Sequence, residues 1–364
     1  MTAVLDEHLL DEPHLLEAAD PGAMLRQVAS AAAQVRSSQR AAAETDLTAI
    51  TGPGRPRTIA VTGMGGSGIA GDMLSAVCGG GCPVQVTTVH DYGLPGWVGA
   101  ADLVIAVSCS GSTEETLSVA HEAVRRGCRL AAVGAARSPL ADLAAQARAP
   151  FIPVVSAGMP RSTLWGLSIP LIAIAQQFGL AEIGPDTYER TASLLEDISH
   201  LCRPASVSFV NPAKVLAAEL AGFLPMIWGT SPLAGVAANR FACQLNENAK
   251  LPALPGVLPE ANHNQVVCFD GALASPHAPL PLRLVLIADT RMHPQVAKRM
   301  RASARLASER GMEVTELSAE GDHPLLRLAS VIQLIDYATV YLALGSSVDP
   351  SPINAIGELK ARIA

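Results

Sequence analysis

Short apolar runs alternate with longer segments in which apolar residues recur every three or four positions along most of this chain. A run of about five residues rich in valine and isoleucine predicts a buried strand, and recurrence at helical spacing predicts a helix. The predicted strands cover residues 58–62, 84–89, 103–107, 129–133, 151–155, 225–229, 282–288 and 313–317. The predicted helices cover residues 21–45, 67–76, 114–126, 164–178, 211–223, 235–250, 328–344 and 352–363. For the first helix, Asp20 suits the N-cap and Pro21 the first helical position.

The order of these elements, strand followed by helix, is typical of a parallel sheet covered by helices. A Gly/Pro-rich break at residues 52–56 and the Arg-Pro step at 203–204 divide the chain. We therefore predict an N-terminal helical extension (1–50) and two similar α/β domains in tandem (51–203 and 204–364), each a mainly parallel sheet flanked by helices. Residues 251–279 carry five prolines and little periodicity, so we expect a functional loop there.

Hydroxyl side chains are concentrated where the strand 103–107 gives way to the helix 114–126. This segment, residues 108–116, reads Ser-Cys-Ser-Gly-Ser-Thr-Glu-Glu-Thr. A helix N-terminus presents free backbone N–H groups and the positive end of the helix dipole, which suits an anion. Because the segment lacks lysine, it favours a phosphate monoester over a nucleoside triphosphate. Ser112 and Thr113 are equally suited to cap the helix, and Glu114 and Glu115 to interact with its dipole.

A second loop, Gly63-Met-Gly-Gly-Ser-Gly68, fits the G-x-G-x-x-G pattern between a strand and a helix, and Asp91 follows 23 residues later. On its own this pattern predicts a dinucleotide site or simply a tight turn. Ser67 adds a hydroxyl that a pyrophosphate site does not require. The segment 108–116 follows a later strand of the same sheet, so both loops should line one crevice. Together they favour a sugar phosphate over a nicotinamide cofactor.

Composition excludes several classes of function. The chain has 364 residues, 49% hydrophobic and 16% charged, with a net charge of −7 and 4% aromatic residues, which argues against nucleic-acid binding. The seven cysteines form no CxxC motif or His/Cys cluster, so we expect reduced thiols in a cytoplasmic protein and no metal site. The acidic N-terminus does not resemble a signal peptide, and no run of 18 apolar residues predicts a membrane span.

Several motifs occur together in a fixed order and resemble one family. They are residues 63–72 (GMGGSGIAGD), 108–116 (SCSGSTEET), 158–162 (GMPRS), 246–250 (NENAK), 260–264 (EANHN) and the tail 349–360 with its DPSP and final lysine. The two loops resemble the SIS (sugar isomerase) fold, and the whole set resembles the bifunctional phosphoglucose/phosphomannose isomerase family over roughly residues 55–364. Cys109, Ser112 and Ser351 differ from the residues that are usual in this family at these positions. Because the replacements are small, they put in question the preferred sugar more than the type of reaction.

This resemblance implies a homodimer of tandem SIS domains that uses no metal or cofactor. It implies interconversion of glucose 6-phosphate or mannose 6-phosphate with fructose 6-phosphate through a cis-enediol(ate). The phosphate-binding residues would be Gly66, Ser67, Ser108, Ser110 and Thr113. The catalytic residues would be Glu247, His263, Arg161 and Lys360, with His263 contributed across the dimer interface.

The residue types suit these roles. Proton transfer between C1 and C2 needs one base, and a partly buried carboxylate at Glu247 can serve. A fixed guanidinium at Arg161 would stabilise the enediolate, and a near-neutral imidazole at His263 suits ring opening. Each has a simpler explanation: a solvated helix glutamate, a surface arginine, an exposed loop histidine. The same holds for Lys360, since a lysine near the end of a helix is usually solvated.

Three alternatives stay open at this stage. A protein of the same fold could bind sugar phosphates as a sensor without turning them over, or it could isomerise a modified sugar phosphate. A nicotinamide-dependent oxidoreductase is the third. The residues Gly229-Thr-Ser-Pro232 and Arg240 resemble the first domain's phosphate loop and raise the question of a second phosphate site.

Overall fold

The computed structural model describes residues 5–156, 158–271 and 281–363. The chain forms two compact units: a central unit of Ser30–Glu196 and His323–Leu326, and a terminal unit of Met1–Ala29, Asp197–Asp322 and Arg327–Ala364. The sequence boundaries differ from this division. Residues 1–50 are shared between the two units, and the later break falls after Glu196 and not after residue 203.

Short helices occupy the N-terminal region, as the sequence predicts. They are α1 (Glu7–Asp11), α2 (Pro13–Ala19), α3 (Met24–Ala29), α4 (Ala31–Glu44) and α5 (Thr48–Thr51). The single predicted helix over 21–45 is therefore two helices separated at Ser30. The Asp20 carboxylate accepts hydrogen bonds from the backbone N–H groups of Met24 and Leu25, at 2.8 and 2.9 Å. It thus caps α3 from four residues upstream of Met24, so the expected positions of Asp20 as the N-cap residue and Pro21 as the first helical residue are wrong.

The central unit contains a five-stranded parallel sheet in the order β2-β1-β3-β4-β5. Its strands are β1 (Thr58–Thr62), β2 (Gln85–Val89), β3 (Leu103–Ser108), β4 (Arg129–Gly134) and β5 (Phe151–Pro153). The first strand pairs with β2 on one side and β3 on the other, so the chain changes direction across the sheet between β1 and β3. Ligands of open α/β sheets bind at such a point, beyond the carboxyl ends of the strands.

Further helices belong to the central unit, and all but the last of them contact this sheet. They are α6 (Gly66–Cys78), α7 (Glu114–Arg125), α8 (Pro139–Gln146), α9 (Leu164–Gln177) and α10 (Thr187–Leu201), the last of which continues past Glu196. Every residue of β3 is buried, and one face of α7 packs against the strand side chains through Val119, Ala120 and Ala123. This explains why β3 is a continuous apolar run while α7 shows helical periodicity.

The terminal unit repeats the same strand order in a four-stranded parallel sheet, β7-β6-β8-β9. Its strands are β6 (Leu224–Gly229), β7 (Leu254–Val257), β8 (Leu282–Asp289) and β9 (Glu313–Ala319). Its further helices are α11 (Pro212–Leu220), α12 (Pro232–Gln244), α13 (Cys268–Gly271), α14 (Pro294–Glu309), α15 (Pro324–Gly345) and α16 (Asn354–Ile363). Two parallel, helix-flanked sheets confirm the predicted fold class.

Helix α15 has a mean hydropathy of 1.5 over its most apolar 18 residues, and length and composition alone would let it cross a membrane. However, 89% of that window is buried inside the protein. Buried polar residues also interrupt it, including Gln333, Asp336 and Thr339. These properties are typical of the core helix of a globular protein.

Candidate active site

The hydroxyl-rich loop after β3 is a network of short hydrogen bonds. The Ser108 hydroxyl lies 2.8 Å from the Thr113 hydroxyl and accepts the Gly111 N–H at 3.0 Å. Ser110 accepts both the N–H and the hydroxyl of Ser112, at 3.2 and 3.0 Å. Thr113 is the N-cap residue of α7, and its side chain makes no capping hydrogen bond to the helix. These hydroxyls are therefore gathered at the positive end of a helix.

Gly111 determines the shape of this loop. Its backbone has φ of +68°, and a Cβ at this position would lie 2.1 Å from the Ser138 hydroxyl. Ser138 is buried at the N-cap of α8, where it accepts the Ala141 N–H. Only glycine fits here, because any side chain would both strain the backbone and collide with Ser138.

The glycine loop after β1 brings the second set of predicted residues to the same edge of the sheet. Thr62, the last residue of β1, pairs with Ala106 of β3, so the two loops leave neighbouring strands at the same end. Gly66 and Ser67 form the first turn of α6, and Ser67 is buried. The N-terminus of a second helix therefore faces the edge at which the hydroxyl-rich loop lies.

Arg161 lies beside this glycine loop. A Cβ on Gly66 would approach the Pro160 carbonyl oxygen to 3.4 Å and the Arg161 Cα to 3.7 Å. Arg161 belongs to the 3₁₀ turn Pro160–Thr163 and is only 2% exposed. The structure thus contradicts the surface-arginine explanation. A buried arginine whose backbone adjoins the N-terminus of α6 adds positive charge to the edge at which the two loops lie, which suits an anion.

Glu247 lies in the terminal unit, in an unusual piece of backbone. Residues Leu245–Ala249 form a π-helical turn that directly follows α12, and Glu247 is at its centre and partly buried. The continuous α-helix predicted over 235–250 is therefore wrong at its end. Single π-helical turns are frequently found at functional sites.

Buried polar contacts hold the helix that leads into this turn. Arg240 donates to both carboxylate oxygens of Asp336 on α15, from Nε at 3.0 Å and Nη2 at 2.8 Å, and Gln244 Nε2 donates to the same carboxylate at 2.9 Å. One turn later, Asn248 Nδ2 donates to the Thr339 hydroxyl at 3.0 Å. Asn248 adjoins Glu247, so these contacts fix the backbone beside the predicted base.

The far end of the turn is held by Lys250. Its ammonium group donates to the Glu247 carbonyl oxygen at 2.6 Å and to the Pro350 carbonyl oxygen at 3.3 Å. Lys250 has a left-handed backbone with φ of +56°, which is uncommon outside glycine and costs conformational energy. The last residue of the NENAK motif therefore ties the Glu247 turn to the C-terminal segment.

His263 lies at the end of the 3₁₀ turn Glu260–His263 and is exposed. The same turn is held by Asn262, whose amide nitrogen donates to the Ser303 hydroxyl at 2.7 Å, and by Asn264, which donates to Glu260 at 3.0 Å. The loop predicted over 251–279 is thus partly ordered: it contains β7, two 3₁₀ turns and α13, while residues 272–280 lie outside the described residues.

Lys360 is exposed on α16, none of whose residues is buried. Leu359, beside it, is 59% exposed, and Ile363 is 70% exposed. Lys360 belongs to the terminal unit, as do Glu247 and His263, whereas the phosphate loops and Arg161 belong to the central unit. Sequence reasoning did not identify Asp336 and Thr339 as contacts of the segment that carries Glu247. An aspartate inside the mostly apolar sequence of α15 was the signal that could have revealed the first of them.

The loop that follows β6, residues 229–232, is hydrogen-bonded to the carboxylate of a neighbouring aspartate. Asp289 at the end of β8 accepts the Ser231 hydroxyl at 2.7 Å, donates its own N–H to the Thr230 hydroxyl at 2.8 Å, and pairs with Arg327 at 3.0 Å. Arg240 is committed to Asp336. A buried carboxylate at this position repels an anion, so these contacts do not favour a second phosphate site.

Among residues 5–156, 158–271 and 281–363, no group of three or more His, Cys, Asp or Glu side chains is arranged to hold a metal ion. The independence from metals that the resemblance implies stays a prediction.

Comparison with known proteins identifies the family. The bacterial phospho-glucose isomerase C-terminal SIS domain matches residues 209–363. A bifunctional phosphoglucose/phosphomannose isomerase from Caldicellulosiruptor bescii is 34% identical over 306 residues, which cover 84% of this chain and 89% of the relative. The chain belongs to the bifunctional phosphoglucose/phosphomannose isomerase family. The resemblance found in the motifs is thereby confirmed.

Other relatives extend the comparison. A bifunctional phosphoglucose/phosphomannose isomerase from Aquifex aeolicus is 29% identical over 84% of this chain and 90% of its own length. A D-glucosamine-6-phosphate 4-epimerase from Sulfolobus acidocaldarius is 27% identical over 61% of this chain and 67% of its own length. Among solved structures, a glucose-6-phosphate isomerase from Chlamydia trachomatis superposes with a TM-score of 0.72 at 13% identity, covering 98% of this chain and 84% of that one. This last likeness supports the fold alone.

Proposed function

We propose that this protein is a sugar-phosphate isomerase that interconverts glucose 6-phosphate and mannose 6-phosphate with fructose 6-phosphate. The observation that carries the proposal is the anion-attracting edge of the central unit, where two helix N-termini, a set of hydroxyls and buried Arg161 converge in a member of this family. The 6-phosphate would be held by Gly66, Ser67, Ser108, Ser110 and Thr113.

The chemistry divides among four side chains. His263 opens the sugar ring by moving a proton between O5 and O1. Glu247 then removes the proton from C2 of the aldose and returns it to C1 through a cis-enediol(ate), while the proton of the O2 hydroxyl is transferred to O1. Arg161 stabilises the negative charge that develops on the enediolate oxygen without exchanging a proton itself. Lys360 contacts a ring oxygen or hydroxyl.

A coupled assay with each hexose 6-phosphate, in the presence and absence of EDTA, tests this proposal. We expect turnover of both glucose 6-phosphate and mannose 6-phosphate, with full activity in the chelator. Phosphate-dependent binding and thermal stabilisation without turnover would instead identify a sensor. A change in NADH fluorescence on mixing would support the oxidoreductase.

We also propose that the working form is a cytoplasmic homodimer in which each active site takes His263 from the partner subunit. This rests on the family resemblance and on the exposure of His263 at the end of its turn. Mixing the inactive variants Glu247→Gln and His263→Asn tests it. If His263 crosses the interface, each heterodimer regains one intact site and the mixture recovers about a quarter of wild-type activity. No recovery after verified subunit exchange would place His263 in its own subunit's site.

A second candidate is an activity on an amino-sugar phosphate. The similarity to the D-glucosamine-6-phosphate 4-epimerase of Sulfolobus acidocaldarius favours including it. The small side chains of Cys109 and Ser112 in the phosphate loop leave room for a modified sugar. Adding glucosamine 6-phosphate to the assay distinguishes the two: we expect slower conversion than of glucose 6-phosphate, and the reverse order would favour the second candidate.

A further inference from the structure

His90 contacts the glycine loop from the neighbouring strand. It is the residue after β2, and because Val89 pairs with Thr62 at the end of β1, His90 lies alongside Gly63. Its Nδ1 is 3.0 Å from the Gly63 carbonyl oxygen. A carbonyl oxygen only accepts hydrogen bonds, so Nδ1 carries the proton and donates it.

The imidazole ring also covers the start of α6. A Cβ on Gly68 would lie 2.4 Å from His90 Cε1 and 2.9 Å from Nδ1, and 2.8 Å from the Gly63 carbonyl oxygen. The last glycine of the G-x-G-x-x-G pattern is thus required because the ring and the carbonyl oxygen occupy the space of a side chain. The residue just before Gly68 is Ser67, which is buried and belongs to the predicted phosphate site.

A second set of contacts keeps α6 on β2. The Thr88 hydroxyl donates to the Asp72 carboxylate at 2.6 Å, and a Cβ on Gly71 would lie 2.7 Å from the same hydroxyl. Gly68 and Gly71 are three residues apart and therefore share one face of the helix. Both allow α6 to approach β2 and the residue that follows it, and the contact of Gly68 with His90 lies nearer the N-terminus of the helix than the contact of Gly71 with Thr88.

We propose that His90 is a positioning residue for phosphate binding: it holds the Gly63 carbonyl and the first turn of α6 so that the Gly66 N–H and the Ser67 hydroxyl face the substrate phosphate. This inference rests on the proposed sugar-phosphate site. In this inference His90 acts through the Gly63 carbonyl and the first turn of α6, and not by contact with the reacting atoms. The packing of the His90 ring against Gly68 thus explains the last glycine of the G-x-G-x-x-G pattern without a dinucleotide.

Two substitutions separate the hydrogen bond from mere bulk. In His90→Asn the amide nitrogen is as many bonds from Cα as Nδ1 and can keep the bond to Gly63. In His90→Gln it is one bond further away, in the place of Nε2, and cannot. His121→Gln is the matched control, because His121 is exposed on α7.

The measurements are KM and kcat for fructose 6-phosphate and the dissociation constant of inorganic phosphate from calorimetry. We expect His90→Gln to raise KM and the phosphate dissociation constant about 3- to 10-fold, the worth of one hydrogen bond, with kcat changed less than about twofold. His90→Asn should stay within about twofold of wild type, and His121→Gln should be unchanged.

Equal phosphate affinity in His90→Gln and wild type would overturn the inference while leaving the proposed function intact. An equal loss of phosphate affinity in His90→Asn and His90→Gln would also overturn it, because that result would follow from removal of the imidazole ring and not from loss of the hydrogen bond to Gly63. A fall in kcat without a change in KM would also contradict it. A wild-type protein that neither binds phosphate nor isomerises would overturn the proposed function and this inference with it.

Discussion

Removal of Asp336 should destabilise the protein far more than removal of a surface carboxylate. Asp336 and Arg240 form a buried ion pair at 2.8 Å, with side chains only 7% and 1% exposed. The same carboxylate also accepts Gln244 Nε2 at 2.9 Å. Asp336→Ala would leave the Arg240 guanidinium buried without this counterion and Gln244 without this acceptor.

The magnitude follows from desolvation. Breaking a buried pair by removing one partner costs about 3–5 kcal/mol, because an uncompensated charge stays out of water. For units of this size each kcal/mol lowers the melting temperature by about 2–4 °C, so the shift should be about 6–20 °C. Glu196→Ala is the control: Glu196 pairs with Arg36, but both side chains are exposed, at 53% and 36%. An exposed pair is worth about 0–1 kcal/mol.

The assay is urea unfolding followed by circular dichroism, with calorimetric melting as a second measure. A double variant, Arg240→Met/Asp336→Leu, adds a sharper test. Because replacing both charges with apolar groups removes the desolvation penalty, it should recover more than half of the stability lost in Asp336→Ala. If Asp336→Ala were within about 1 kcal/mol of wild type, or no worse than Glu196→Ala, the buried-pair reasoning would be refuted.

Three further outcomes are expected. The hydrogen bond from Arg57 is the main reason why the pKa of Asp102 is lowered to about 2; burial opposes this shift, and hydrogen bonds from Gly99 and Thr58 add to it. About 2–3 kcal/mol of folding stability that is present above pH 4 should therefore be lost as the pH falls towards 2, and acid unfolding curves of Asp102→Asn should lack this loss. Lys250→Met removes the hydrogen bonds to the Glu247 and Pro350 carbonyls, so kcat should fall about 10-fold while Lys250→Arg retains more activity; equal losses would contradict the positioning role. Gly111→Ala should cost at least about 2 kcal/mol in thermal unfolding and raise KM, since its Cβ meets Ser138; an unaffected KM would argue against this loop in phosphate binding.

The sequence predicted the strand and the helix start on either side of the hydroxyl-rich loop well because the relevant signals are local. A β-branched run followed by hydroxyls and a helix pattern fixes both the strand and the helix N-terminus, as the loop after β3 shows. The sheet order then follows from the rules of parallel α/β folds. Arg161 was singled out only through its motif, since its burial arises from tertiary packing that no local pattern reveals.

Other elements were missed for physical reasons. Helices α8, α10 and α14 are amphipathic with few large apolar residues: α14, for example, buries only Met300, Ser303 and Ala307. Strand β7 reads Leu-Pro-Gly-Val, which lacks strand propensity, and it forms because the β6 backbone pairs with it. The π-helical turn at Glu247 depends on tertiary contacts to α15, so helical spacing alone predicted a regular helix.

Proton exchange at C2 of the substrate measures the role of Glu247 most directly. Wild-type protein incubated with glucose 6-phosphate in deuterated water should incorporate deuterium at C2, and Glu247→Gln should abolish both this exchange and isomerisation while still binding inorganic phosphate. A Glu247→Gln protein that continues to exchange the C2 proton would show that another group is the base.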